Sequence, residues 1–287
     1  MSINKNLVVV TWDGVEAPLK FIHFDELKQF NLLLFNYSGK NSETDLSNSP
    51  IDHLINQSTE NKGHILYHLN QFIKNNKLEY NYIGIIDDDI IFKVSEFNYM
   101  LHIAEVHNLD VFQPSIAADS YFSHRKFVHV PGIMVAPTDW VEVMAPFYKY
   151  ELFNACNDYF LQTISSQGLD CFMMPVLQKI HGMTNTGIVH SAIIKHTRPI
   201  RTHLRTYSNG LTGLQEIELI RKLALQLANN PINASKFKSK FKRRVLHEGN
   251  GLIILLESKL LKLTYLLSNI WNQIKTWAQQ PYFIGDK

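Results

Sequence analysis

Three consecutive aspartates, Asp87, Asp88 and Asp89, close the apolar run Tyr82-Ile83-Gly84-Ile85-Ile86. Such a run reads as a buried strand, and in an open α/β sheet ligands sit at the carboxyl ends of the strands. Adjacent carboxylates repel one another, so a hard divalent cation is the simplest neutraliser. Mg²⁺ and Mn²⁺ take oxygen ligands from one or two carboxylates plus substrate phosphates. On an extended chain Asp87 and Asp89 share a side and would hold a metal-bound diphosphate, with Asp88 pointing the other way. The plainer alternative is a solvated turn whose acids cap the next helix.

A second group of candidates lies at the end of the apolar stretch 187–196. His196, in Lys195-His196-Thr197-Arg198-Pro199, could bring a neutral imidazole to the same cation, with His190 on the same strand as its competitor. Lys195, Arg198 and Arg201 supply positive charge suited to phosphate oxygens, against the alternative of an ordinary basic loop.

Positioning these groups requires an α/β body. Residues 7–10, 32–35 and 82–86 read as buried parallel strands, and 63–76 as a helix burying Ile65, Leu66, Leu69, Phe72 and Ile73. The polar stretch 41–50 reads as a loop. Ser95 is expected to cap a helix over 97–108, and further strands are expected over 109–114 and 128–137, with Pro114, Pro131 and Pro137 at their edges or ends. Thr138 or Asp139 would cap a segment 140–147; 157–167 is helix-like, and Pro175 starts another helix. A helix pattern covers 211–229. The division expected is a body over 1–206 and a helical, basic, amphipathic region over 207–287.

The 287 residues, 45% hydrophobic and 19% charged, exclude disorder and collagen-like repetition. Two cysteines make no disulfide framework, which suggests a reducing compartment. No span is apolar and long enough for a membrane helix, and the amino end does not read as a signal peptide, so a cytoplasmic protein is expected, peripheral on the inner face of the membrane at most. The net charge of +2 is uneven: 236–244 carries six basic residues in nine, interleaved with Phe237 and Phe241, and 252–278 is rich in Leu and Ile with Trp271 and Trp277. This tail could bind an anionic membrane surface, pack on the body or form a homodimer. The acidic balance of the body disfavours nucleic acid.

The apolar strand ending in Asp-x-Asp resembles the signature of GT-A glycosyltransferases. The run from Tyr82 to Arg201 is similar to the domain-of-unknown-function family 707, in the words IGIIDDDI at 83–90, LDVFQPSIAADSYFSH at 109–124, VEVMAPF at 141–147, GLD at 168–170 and KHTRPIR at 195–201. The resemblance implies a GT-A-like, Rossmann-like mixed sheet flanked by helices. It further implies a metal-dependent enzyme, using Mn²⁺ or Mg²⁺, that transfers a sugar from a nucleotide-sugar donor to a glycan or lipid-linked acceptor in surface polysaccharide biosynthesis. Asp87 and Asp88 would meet the nucleotide, with Lys195 and Arg198 beside them; Asp87, Asp89 and His196 would meet the metal. Thr11, Trp12, Asp13 and Tyr37 would line the nucleoside site, and Asp119, Ser120 and Tyr121 would meet sugar or acceptor hydroxyls. Asp170 would be the base of an inverting reaction, with Asp158 in reserve. Two alternatives remain: a metal-dependent phosphotransferase or phosphatase, and a non-catalytic, membrane-recruited glycan-binding protein. The haloacid-dehalogenase pattern fits less well, since it wants Thr or Val where Ile91 stands.

Overall fold

In the computed structural model the described residues are 5–15, 17, 19–40, 46–199 and 205–233, with the backbone of 245–247 and 253–254. The elements are β1 (Asn6–Trp12), β2 (Ile22–His23), β3 (Asn31–Asn36), β4 (His53–Asn56), α1 (Lys62–Asn75), β5 (Tyr82–Ile86), β6 (Ile90–Lys93), α2 (Val94–Val106), β7 (Val111–Ile116) and β8 (Ile133–Pro137). There follow β9 (Phe147–Lys149), α3 (Tyr150–Ala155), α4 (Asn157–Phe160), α5 (Met174–His181), β10 (Thr186–His196), α6 (Gly213–Asn229), β11 (Val245–His247) and β12 (Ile253–Ile254).

One mixed sheet runs β12-β11-β8-β10-β7-β9-β5-β1-β3-β4. β4, β3, β1 and β5 are parallel, β9 is antiparallel between β5 and β7, and β10 is parallel to β7 but antiparallel to β8. Alternate residues of one strand enter opposite cores: Val8 and Val10 of β1 pack with α2, whereas Leu7 and Val9 pack with α1. Both faces are therefore covered, which is why β1, β3 and β5 are unbroken apolar runs rather than alternating ones. Each such fully buried Leu, Val or Ile contributes about 1.5–3 kcal/mol.

Gly84 explains how the parallel half joins the antiparallel strand. A Cβ there would fall 2.2 Å from the Phe147 ring, which lies across the strand opposite it. α1 starts at Asn61, whose Oδ1 accepts the Lys62 N–H at 2.7 Å, and buries Ile65, Leu66, Leu69 and Ile73 as its spacing requires. α6 starts with a Thr212–Gln215 capping box and buries Ile220 and Ala224 in the cluster that holds Leu169 and Leu177. It thus packs on the body.

Four local expectations are corrected. Ser95 is not a cap: α2 begins at Val94, and Asp25 from the β2–α2 side of the sheet accepts both the Ser95 N–H (3.0 Å) and its hydroxyl (2.5 Å). Pro114 stands inside β7, opposite Val189, and the register slips between Val189 and Ile193, a bulge beside a residue with no N–H to donate. Thr138 starts no helix; its hydroxyl donates to Trp140 O, and 138–146 is an irregular segment leading into β9. Helix formation near 157 begins earlier, at Tyr150, and ends at Phe160. The basic stretch 236–244, Arg201, Trp271 and Trp277 lie outside the described residues.

Candidate active site

The triplet leaves β5 in a turn, not an extended strand, with Ile90 N–H donating to Asp87 O at 3.2 Å. Alternation is therefore lost. Asp87 turns to Lys62, whose Nζ lies 2.6 Å from Oδ1 and also donates to Val143 O. Asp88 and Asp89, expected on opposite sides, instead share Arg198: its guanidinium bonds Asp88 Oδ1, and its Nε lies 2.8 Å from Asp89 Oδ2. Tyr37 OH donates to Asp88 Oδ2 at 2.8 Å.

His196 reaches the triplet by register. β6 pairs antiparallel with the end of β10, His196 opposite Ile90, so the imidazole stands beside the residue before Ile90. Its Nε2 lies 3.1 Å from Asp89 Oδ2 and its Nδ1 2.9 Å from Tyr121 O. Ser120 fixes the backbone of the same residue, its hydroxyl accepting His196 N–H at 2.6 Å. Asp119 is paired with Lys195 at 2.5 Å. The stretch 119–121 thus positions the end of β10, and two side chains assigned from sequence to separate ligands bond each other. His190 is buried, its Nδ1 accepts Val130 N–H at 3.1 Å, and burial beside His129 lowers its pKa to about 3.

The repulsion within the triplet is thus offset by Lys62, Arg198 and His196. Burial pushes Asp87 up to about 6 against the pull of Lys62, with Asp89 and Asp88 raising it further. Asp88 is raised, burial outweighing Tyr37 and Arg198. For Asp89 burial is overcome by the hydrogen bond and charge of His196 and by Arg198, and its carboxyl is held below the usual range. His196 is raised: burial opposes the shift, and Asp89 prevails.

Among the described residues no three His, Cys, Asp or Glu side chains converge on a common point. Asp89 nevertheless keeps a buried Oδ1 without a hydrogen-bond partner, next to an imidazole. One carboxylate and one imidazole fit a hard cation that completes its shell with phosphate and water.

Beside the triplet a cleft of about 330 Å³, open solvent included, is lined by Trp12, Asp13, Lys20, Phe21, Asp87 and Asp88. Thr11 is buried in β1 and does not line it.

A second carboxyl group lies near Val143. Gly168, in the left-handed region at φ 85°, turns the chain into a π-helical segment Leu169–Met173 that carries Asp170. The Asp170 carboxylate accepts Cys171 N–H at 2.8 Å; burial raises its pKa against the pull of the Cys171 and Val143 N–H groups. Glu142, next to Val143, is 5% exposed and pushed up to about 8 by burial and by Asp170. Lys126, stacked 3.9 Å over the Trp140 ring, is pushed down to about 8 by burial against the attraction of Asp139, Glu142 and Asp170. Val143 is close to both groups: its C=O accepts from Lys62, and its N–H acts on the Asp170 carboxylate. Asp158 is exposed on α4 and takes no part in this arrangement.

The loop before Asp170 is pinned by Glu216 of α6, fully buried, which accepts Ile164 N–H (2.8 Å), Ser165 N–H (2.9 Å), Thr163 Oγ1 (3.1 Å) and Asn209 Nδ2 (2.7 Å). Gly63 lets α1 meet that loop: its N–H donates to Ile164 O at 2.9 Å, and a Cβ would fall 1.9 Å from Thr163 O.

Lys62, Lys126, Glu142 and Glu216 are additions that sequence reasoning missed. Lys62 carried a signal, since a lysine in the first turn opposes the helix dipole. So did Glu142, a lone acid in the apolar run 141–147.

Among solved structures the chain is similar to S. aureus TarS 1-349 in complex with UDP-GlcNAc, with a TM-score of 0.52, 11% identity, and coverage of 80% of this chain and 68% of that one. The fold is GT-A-like. A second structure of S. aureus TarS 1-349 gives a TM-score of 0.50 at 11% identity, covering 81% and 68%. No protein-family model matches the sequence, domain-of-unknown-function family 707 included, and no curated protein matches it. Among the described residues no helix is long and apolar enough to cross a membrane.

Proposed function

We propose that the protein is a glycosyltransferase that moves a sugar from a nucleotide-sugar donor to a glycan or lipid-linked acceptor with inversion, in surface polysaccharide biosynthesis. The observation that carries the reading is the meeting of Asp89, His196 and Arg198 at the carboxyl end of β5 in a GT-A-like sheet. The complex of TarS with UDP-GlcNAc supports a nucleotide-sugar ligand.

Trp12, Asp13 and Tyr37 would receive the nucleoside at the cleft. Arg198, exposed along much of its length, would move from the carboxylates to the diphosphate, where its fork of N–H donors suits two phosphate oxygens. Lys195 would add charge at the same edge. Asp89 and His196, with Asp87 nearby, would hold Mn²⁺ or Mg²⁺, which when bound supplies charge stabilisation to the departing diphosphate. Asp170 would take the proton of the acceptor hydroxyl; a carboxyl raised by burial is the better base, an effect of about 10²–10⁴ in rate. Residues 233–287 would hold the enzyme at an anionic membrane surface, near a lipid-linked acceptor.

A thermal-shift panel of nucleoside diphosphates with and without Mn²⁺ tests the reading. Stabilisation by one nucleotide, strengthened by metal and lost in Asp89→Asn, is expected. Indifference to every nucleotide overturns it.

A further inference from the structure

Glu142 is the carboxyl group that the glycosyl-transfer reading leaves without a role. It is 5% exposed, and its Oε2 is buried with no hydrogen-bond partner. An unmet buried polar atom costs about 1–3 kcal/mol, so its retention calls for something that meets it.

The backbone around it is held at two points: Glu142 N–H donates to Gln113 Oε1 at 2.5 Å, and Val143 C=O accepts from Lys62. Asp87 N–H donates to Met144 O at 3.0 Å, so Glu142 stands two residues from the backbone that holds the triplet, and the charges of His196, Asp170 and Lys126 all act on it. None of these forms an ion pair with it.

In the proposed reaction the diphosphate lies at Asp89, His196 and Arg198, and the acceptor hydroxyl lies at Asp170. The transferred sugar must span the two, and Glu142 is near enough to both for His196 and Asp170 to act on its charge. We propose that Glu142 binds the transferred sugar, its Oε2 hydrogen-bonding a hydroxyl or an amide N–H of that unit, and so sets which sugar the enzyme accepts. A carboxyl group suits a polyol, because it accepts from hydroxyls when ionised and both donates and accepts when protonated. The inference rests on the glycosyl-transfer reading.

The test compares, by titration calorimetry on the full chain, a panel of nucleoside diphosphates with their sugar conjugates, beginning with UDP and UDP-GlcNAc. The native protein is expected to bind a conjugate more tightly than its nucleotide. Glu142→Ala should weaken the conjugate about tenfold, which corresponds to about 1.4 kcal/mol, and leave the bare nucleotide within about twofold. Glu142→Gln, nearly the same shape, guards against misfolding and should keep part of the sugar's contribution. Equal weakening of both ligands marks a structural role and overturns the assignment, as does unchanged binding of the conjugate. A native chain that binds no nucleotide overturns the parent reading and this one with it, an outcome distinct from the other two.

Discussion

Replacing Lys62 by Met tests the charge balance of the triplet. The Lys62 side chain is 8% exposed, and its ammonium bridges Asp87 Oδ1 at 2.6 Å and Val143 O. Breaking a buried ion pair costs about 3–5 kcal/mol, but a third of the Asp87 side chain faces solvent and regains hydration, so about 2–3 kcal/mol is expected. For a chain of this size that lowers Tm by about 4–12 °C. The pH dependence is more telling. In the folded protein Asp87 titrates at about 6, above its value of about 3.9 in the unfolded chain, so the native protein takes up protons that the unfolded chain does not and loses stability as pH rises between those values. Without Lys62 the folded value moves higher still, and the loss extends above pH 6. Urea denaturation at pH 5 and pH 8 should therefore give a larger cost for Lys62→Met at pH 8, where the pair is ionised. An equal cost at both pH values, or none, would refute the reasoning.

Three further outcomes are expected. Glu216→Ala removes the acceptor of two backbone N–H groups, and about 3 kcal/mol of stability should be lost in urea denaturation; in the native protein the bonds from Ser165 and its neighbours outweigh burial and hold Glu216 low, so its contribution is present above pH ~4.3 and should fade as pH falls through the folded value. Gly84→Ala puts a methyl group into the Phe147 ring and should cost about 1–3 kcal/mol or more, read in the same assay. Asp89→Asn removes the group that raises His196 against burial, so the imidazole pKa measured by NMR should drop below that of the native protein.

The two-faced sheet was legible in the unbroken runs at 7–10, 32–35 and 82–86, and α1 in its apolar spacing. β6 and β9 were not: each is four residues or fewer, too short to show a period. Asp89 and His196, grouped from the sequence, do meet in the fold, Nε2 3.1 Å from Oδ2. The site was misread where the chain turns, because strict alternation assigned Asp88 to the opposite side from Asp89. Lys62, Glu142 and Glu216 reach the site from segments 25 to more than 100 residues away from it in sequence, and their proximity is a product of packing. Single-residue patterns carry no trace of that. The glycines did carry one: Gly63 and Gly84 each mark a place where backbone meets backbone or ring too closely for any side chain.

The most direct measurement of the central claim is mass spectrometry of the products formed from a panel of nucleotide sugars and a glycan or lipid-linked acceptor. The account predicts an intact nucleoside diphosphate and an acceptor heavier by one sugar residue, both lost in Asp89→Asn and Asp170→Asn. Release of inorganic phosphate, or of a nucleoside monophosphate and a sugar phosphate, would contradict it and place the chemistry at phosphorus.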